Sequence, residues 1–506
     1  MTRHGAMPLG GDNAPSSTYH EQGKFGRLFP SLPPFSADNP TLRASLKEIG
    51  KMKGIMDAQD DLSDPVGLIV NPALNVSNEN NPDITAGFTF LGQFIDHDLT
   101  FDPTSSLERQ QDPETIANFR TPTLGLDNVY GSGPKASPHL YDQAVDSGLT
   151  TFLIEEIPGS EAISRDGKSR FDLPRNSQNT ALIGDPRNDE NLIVSQLHLA
   201  FLKFHNALVA KVKQDIGLTN PNEIFTEAQR LVRWHYQWII VNEFLPLTVG
   251  QELVTQILTE GRKFYNWRNE PFIPVEFAVS AYRFGHSQAR PSYRANFGPA
   301  LPADSGQFIA LFLDDGRPES PDPNDPDPHD LRGSKRAARR FIDWQTFFNF
   351  GDGRARPNKK IDTILSSALF DLPGIPGMEP QSLATRNMLR HVTFRIPSGQ
   401  SVAKAMRETV LDPNDLKDLQ PHALDKRTPL WFYILREAQI DKEGFGRGRH
   451  LGPVGGRIVA EVLIGLMQGD SLSYLRQDPE WVPTLSPDGT FKITDLLKFA
   501  GVVIPL

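Results

Sequence analysis

The 506 residues carry a formal net charge of −10 and an isoelectric point near 5.7, which argues against a polyanion partner, because nucleic-acid binding needs a basic stripe. Hydrophobic residues at 38% and charged residues at 23% are the proportions of an ordinary globular protein long enough to bury a large core. With no cysteine, the chain excludes disulfides, thiol nucleophiles and every thiolate-held metal centre, and the sequence does not fix its compartment.

Met1 to Ser17 is polar and glycine-rich, without the apolar core of a secretory signal, so residues 1–23 are expected as a flexible segment ahead of one domain over 24–506. A helix is predicted from about Asp83 to Leu99, started at Asn80, Asn81 or Pro82. At ~100° per residue, Gln93, Asp96 and His97 share a face, while Asp98 points ~160° away from Asp96. Taken alone, that pattern also suits a hydrated polar face. In Ile183 to Asn191, Pro186 forces a break before a long helix that Asn188 or Asp189 can cap. Arg187 and Glu190, three apart, are expected to project together from that helix start, or else to form an exposed ion pair.

The long helix runs from Asn191 to Val212, with Ile193, Leu197, Ala200, Phe201, Phe204 and Leu208 on a broad apolar face. A second is predicted over Glu227 to Phe244, capped by Thr226. In Tyr282-Arg283-Phe284-Gly285-His286, Gly285 permits close backbone approach beside a histidine, which is either a hydrogen-bonded core residue or a metal ligand. The acidic, proline-rich stretch Pro318 to Asp330 reads as part of a surface loop at about 316–335. A helix is expected over Val454 to Met467. Its apolar run, Ile458 to Met467, is interrupted by Glu461 and too short to cross a bilayer, so no membrane span is expected. Gly452-Pro453-Val454-Gly455-Gly456 lacks the strand and lysine of a phosphate loop. Strand alternation is scarce, which makes the fold class mainly α with little β structure.

Five motifs fall in order along the chain: Gly-Gln-x-x-Asp-His-Asp at Gly92, Val-Tyr-Gly-Ser at Val129, Gly-Asp-x-Arg-x-x-Glu at Gly184, Arg-x-Gly-His at Arg283 and Arg-Asn-Met at Arg386. Together they resemble the animal haem peroxidase family, over a stretch from about Lys24 to the C-terminus. Through Pro397-Ser398-Gly399-Gln400, Thr428-Pro429-Leu430-Trp431 and Leu451 to Arg457, the chain looks most like bacterial members.

The resemblance implies a single large helical domain around haem b or an ester-linked haem derivative. His97 matches the distal acid–base histidine, Arg187 the distal arginine and Gln93 the distal glutamine. His286 matches the proximal iron ligand, and Asn387 the asparagine that accepts the proximal imidazole N–H. Arg283 and Arg390 match arginines near the haem propionates. Asp96 and Glu190 match the carboxylates that esterify haem methyl groups in mammalian members, whereas Asn191 stands where a sulfonium link needs methionine.

Asp98, Thr121, Thr123 and Asp127 match calcium ligands, with Gly125 where an aspartate is expected. The implied partners are hydrogen peroxide and a small-molecule electron donor (halide, thiocyanate or a small aromatic compound). Two other readings are a fatty-acid dioxygenase of the cyclooxygenase type, or a non-catalytic adhesive module that kept the fold. Arg283 stands where the dioxygenase has its tyrosine, and an idle scaffold has no need of His97, Arg187, His286 and Asn387 together. The oligomeric state is not legible.

Overall fold

A helix that is apolar on every side is stable only when other elements sheathe it, and the segment Leu192–Asp215 is such a helix. Leu197, Ala200, Phe201, Phe204 and Leu208 are buried, and so are Leu199, Leu202 and Val209 on its other faces. By length and composition alone it could cross a membrane, but most of it is core. The computed structural model describes residues 23–101, 110–298, 307–310, 331–372, 380–440, 446–486 and 488–504. The segment 1–22 and most of the acidic loop lie outside the described residues.

Around the central helix pack Gly87–Leu99, Pro221–Ile239 and Ile493–Phe499, while Leu383–Thr393, Leu430–Ile440 and Pro453–Gly469 build the other half of the core. Among the described residues, strands occur only as two-stranded ribbons. Phe25–Gly26 pairs in parallel with Ile273–Pro274, and Asn80–Thr85 pairs antiparallel with Pro357–Lys359. Ser292–Asn296 pairs antiparallel with Gln307–Ala310. The mainly α class is therefore the observed one.

Helix boundaries differ from the sequence expectation in instructive ways. Residues 80–85 are a strand, because Asn80 and Thr85 pair with Lys359 and Pro357, so the predicted helix begins at Gly87 instead of Asp83. Gly87 is needed there: a Cβ would lie 2.4 Å from the Phe348 ring. The second predicted helix starts at Pro221, capped by Asn220, and Thr226 sits inside it with its hydroxyl donating to Asn222 O at 2.8 Å. At Ile240–Phe244 the same helix widens into a π turn. The long helix is capped by Asn191, whose side chain accepts from Val194 N, and not by Asn188 or Asp189.

Buried glutamates anchor backbone that has no secondary-structure partner. Glu276 accepts from Leu28 N at 2.9 Å and Phe29 N at 3.1 Å. Glu437 accepts from Val454 N at 3.1 Å and Gly455 N at 3.3 Å, at the start of the Pro453–Gly469 helix, where the macrodipole also favours negative charge. Glu461, which interrupts the apolar run in sequence, accepts from Lys263 N, Phe264 N and Tyr265 N at 2.7–2.9 Å. Removing this carboxylate strands three backbone donors, so Glu461→Ala is expected to lower stability by about 3 kcal/mol in urea unfolding. A loss below about 1 kcal/mol would show the anchor to be dispensable.

Candidate active site

The last turn of the Gly87–Leu99 helix places three consecutive residues in three environments. Asp96 keeps some accessible surface, accepts from Thr100 Oγ1 at 3.1 Å, and lies close enough to Arg283 and Tyr282 for its charge to act on both. His97 is buried, and its Nδ1–H donates to Asn188 Oδ1 at 2.8 Å, which leaves Nε2 as the nitrogen on the Glu190 side. Asn188 Nδ2 in turn donates to His198 Nδ1 at 2.9 Å. Burial holds His198 near 3, with nearby Arg120 also disfavouring its charge and Asp185 opposing, so it is a neutral prop in this chain. Asp98 is fully buried on the opposite side.

Beside His97 lie Gln93 and Glu190. Gln93 Nε2 donates to Glu190 Oε1, Asn191 Nδ2 donates to Gln93 Oε1 at 3.2 Å, and His97 Nε2 stands 3.7 Å from Glu190 Oε1. An amide, a carboxylate and an imidazole thus meet, but the carboxylate is Glu190, not the Asp96 that helical spacing put on this face. Arg187 does not join them. Residues Pro186–Asp189 form a tight 3₁₀ turn, and this turns Arg187 away from Glu190. Its guanidinium bonds both oxygens of Asp185 (3.1 and 2.8 Å), His97 O (3.1 Å) and Thr100 O, and stacks 4.7 Å over the Phe101 ring. The expectation that Arg187 and Glu190 project together is therefore corrected: Arg187 clamps the backbone at the end of the distal helix.

Asp185 is what holds it. The carboxylate is fully buried and also accepts from Arg120 Nε at 3.0 Å. Burial alone would raise its pKa, but the hydrogen bond and charge of Arg187, with the charges of Arg120 and His97, outweigh that and bring it to about 2.

His286 lies in the short Gly285–Gln288 helix. Burial and then the charges of Arg283 and Arg390 lower it to about 3, so the imidazole is neutral, as metal ligation requires. It is deep in the fold yet retains accessible surface, and a Cβ added at Gly285 would meet nothing within 4 Å. Arg283 and Arg390 bring cationic charge to this side, and burial with the Arg390 charge lowers Arg283 to about 9. Arg283 Nε donates to Ala278 O at 3.0 Å and Nη1 to Asn387 Oδ1 at 3.1 Å.

Because Arg283 takes that oxygen, Asn387 presents Nδ2 to His286 Nδ1 at 2.7 Å. The amide donates to the imidazole, the reverse of the expected direction. Ligation of a metal through Nε2 needs a proton on Nδ1, hence a turned amide and release of Oδ1 by Arg283.

Two further residues frame this side, and the sequence reading gave neither a role. His391 donates from Nδ1 to Asn387 O at 2.8 Å, and its Nε2 accepts from Trp431 N at 3.0 Å and lies 2.9 Å from Ser280 Oγ. Trp431 Nε1 donates to Arg283 O at 3.1 Å. Asp185 was likewise given no role, and Asn188 was read only as a candidate helix cap, although both fall inside the Gly-Asp-x-Arg-x-x-Glu motif.

Asp98, Thr121, Thr123 and Asp127 do come together. Thr121 Oγ1 donates to Asp127 Oδ2, Thr123 Oγ1 lies 3.3 Å from Thr121 Oγ1, and Asp98 Oδ2 accepts from Leu126 N at 3.0 Å. Asp98 Oδ1 is buried with no hydrogen-bond partner. Burial and the Asp127 charge push the Asp98 carboxyl up to about 7. Among the described residues, no group of three or more His, Cys, Asp or Glu side chains gathers as a metal cluster.

Fold and site together define a mainly helical protein with two histidines, each paired with an asparagine amide, and cationic charge beside one of them. The sequence profile described as animal haem peroxidase matches residues 103–297, which contain Arg187, Glu190, Arg283 and His286. Over that stretch, which is under half of its length, the chain is similar to the animal haem peroxidase family. It is 28% identical over 199 residues to a peroxidasin homolog of Caenorhabditis elegans (38% of this chain, 15% of that protein). It is 30% identical over 180 residues to peroxidasin of Drosophila melanogaster (34% of this chain, 12% of that protein). The chain thus spans under a sixth of the length of these curated relatives. Among solved structures, peroxidase A of Dictyostelium discoideum superposes with a TM-score of 0.64 at 16% identity, covering 98% of this chain and 97% of that one. A fatty acid alpha-dioxygenase of Oryza sativa gives 0.55 at 12% identity, covering 88% and 77%.

The Asp185 arrangement carries a pH signature. A carboxyl at about 2 when folded and near 3.8 otherwise contributes stability that is complete above pH 4 and lost as the pH falls through 2. The shift corresponds to about 2 kcal/mol. Urea midpoints at pH 3 and pH 6 should therefore differ less in Asp185→Asn than in wild type. Equal pH dependence in the two would remove the carboxylate from this role.

Proposed function

We propose that the chain is a haem-dependent peroxidase that reduces hydrogen peroxide and oxidises a halide, thiocyanate or small aromatic donor. The observation that carries this is the pair of histidines each held by an asparagine amide: His97, whose Nδ1 meets Asn188 Oδ1 beside Gln93, and His286, whose Nδ1 meets Asn387 Nδ2. The donor set fits haem: a neutral imidazole for the iron at His286, and cationic side chains at Arg283 and Arg390 for the propionates. Haem bound there supplies the redox centre for O–O cleavage and for oxidation of the donor.

The chain's own residues do the rest. His97 Nε2 takes a proton from one oxygen of hydrogen peroxide and delivers it to the other, so that water leaves. A positioned acid–base group of this kind contributes roughly 10²–10⁴-fold. Gln93, held by Asn191 and Glu190, offers an amide to peroxide or a small anion beside it. Arg187 serves this chemistry by fixing the His97 backbone and lending the pocket positive potential. The dioxygenase reading lacks its tyrosine, because position 283 is an arginine engaged with Ala278 and Asn387.

Two finer assignments belong to the same reading. Asp96 and Glu190 are assigned as ester tethers for haem. Asp98, Thr121, Thr123 and Asp127 are assigned to hold Ca²⁺, a hard cation suited to oxygen ligands. The unpartnered Asp98 Oδ1 supports that assignment.

Reconstituted protein should show a Soret band that His286→Ala loses. His97→Ala should keep the band and react with peroxide at least about 10²-fold more slowly. A wild-type peroxide rate in His97→Ala refutes the mechanism, and oxygen uptake with linoleate in place of peroxide turnover restores the dioxygenase. Haem recovered after peroxide treatment should remain attached to protein in acid extraction, and should be released in Asp96→Asn/Glu190→Gln. For calcium, chelation should lower the thermal midpoint of wild type and leave that of Asp127→Asn unchanged; an equal fall in both argues against the site.

A further inference from the structure

One buried amide joins three elements at His97. Asn188, in the Pro186–Asp189 turn, lies between His97 of the Gly87–Leu99 helix and His198 of the central helix. Asn188 and His198 are completely buried, and His97 is nearly so. Asn188 Oδ1 stands 2.8 Å from His97 Nδ1, and its Nδ2 stands 2.9 Å from His198 Nδ1. Packing fixes the His198 ring: Phe94 meets it edge-on at 6.1 Å and itself stacks on Phe201 at 4.7 Å.

An amide between two imidazoles has two self-consistent proton arrangements, because a neutral ring carries its one proton on either nitrogen. In the first, His97 donates from Nδ1 to the amide oxygen, and His198 accepts at Nδ1 with its own proton on Nε2. In the second the amide is turned. Its nitrogen then donates to His97 Nδ1, whose proton sits on Nε2, and His198 donates to the oxygen. Only the first leaves His97 Nε2 bare to receive a proton. Only the first also keeps an acceptor at Nδ1 once His97 is protonated on both nitrogens.

The amide is found in the first orientation, although its surroundings pull the other way. Glu190 Oε1, 3.7 Å from His97 Nε2, draws a proton to that nitrogen. Among the described residues, the Asn188 side chain bonds only the two rings, so His198 is what opposes Glu190. To do so it must be neutral, since an imidazolium would donate from Nδ1 and claim the amide oxygen. Burial keeps it neutral, against the pull of the Asp185 charge and with Arg120 assisting. Its Nε2 is buried without a partner, a cost the arrangement carries for putting the lone pair at Nδ1.

We propose that His198 is a positioning residue: through the Asn188 amide it keeps the His97 proton on Nδ1 and the lone pair at Nε2, on the side of Gln93 and Glu190. The hydrogen bond at one ring nitrogen sets what the other can do, and a histidine base in the wrong tautomer is crippled. Selection of the tautomer stands on this geometry alone, and its bearing on peroxide rests on the peroxidase reading.

The whole chain, isotopically labelled at histidine nitrogen, reports the tautomer of each ring by NMR at mildly alkaline pH, with and without diamagnetic zinc protoporphyrin. Expected in wild type are protons on His97 Nδ1 and His198 Nε2. In His198→Phe the His97 proton should move to Nε2, facing Glu190, and the peroxide rate of the haem-loaded variant should fall about 10-fold or more. Adding Asn188→Asp to His198→Phe supplies an acceptor that cannot turn into a donor, and should return the proton to Nδ1. A purely structural role for His198 gives no such rescue. A wild-type His97 protonated at Nε2 alone, or a His97 that keeps its Nδ1 proton in His198→Phe, overturns the proposal. The expected tautomers in a chain that does not react with peroxide uphold it and remove the peroxidase reading.

Discussion

The surroundings of His97 depend on one buried carboxylate. Asp185 accepts from Arg120, from the Arg187 side chain and from Arg187 N, so a tight turn, a distant loop and a helix end are tied at one point. A lone charge there would be prohibitive, and two guanidinium groups make it tolerable. The chain of consequence runs outward. Asp185 orients Arg187, Arg187 grips the carbonyls of His97 and Thr100, and the turn between them delivers Asn188 to the imidazole of His97. The histidine is set by its neighbours' electrostatics as much as by its own helix.

Amides do the finer positioning on both sides, and they do it differently. Asn188 has two imidazole clients and satisfies both at once, oxygen to His97 and nitrogen to His198. Asn387 has an imidazole and a guanidinium, which compete for the same oxygen, and Arg283 holds it. A carboxamide has only two useful orientations about its last torsion. The electronic character of His286 is therefore tied to where Arg283 places its donors, and His391 and Trp431 fix the backbone of both partners.

Much of this was legible in the sequence because it is local. The 3.6-residue repeat found the central helix within a few residues of each end. The same repeat put Gln93 and His97 on one face, and their joint contact with Glu190 bears that out. What the sequence hid is non-local. The strand at residues 80–85 exists because Pro357–Lys359 lies beside it, and nothing near Asp83 announces that partner. Arg187 and Glu190 diverge because a 3₁₀ turn replaces the expected α-helical start. The caps at Asn191 and Asn220 displaced nearer-looking candidates, since Pro186 and Pro221 leave several polar residues available and only packing chooses among them. Glu461 looked like an interruption and is an anchor, because its partners are almost 200 residues away.

The last turn of the Gly87–Leu99 helix has a consequence for how the chain can vary over evolutionary time. Asp96, His97 and Asp98 face a partly accessible edge, the Gln93 and Glu190 side chains, and a buried polar cluster, and ~100° of helical rotation separates each from the next. Substitution can tune any one of them in place. A single inserted or deleted residue between Gly87 and Asp96 would instead rotate all three together, bringing a carboxylate to where the imidazole belongs. With Phe348 closing one end of the helix and Arg187 gripping the other, no slack exists to absorb such a change. Length, more than composition, is the inherited quantity in this segment.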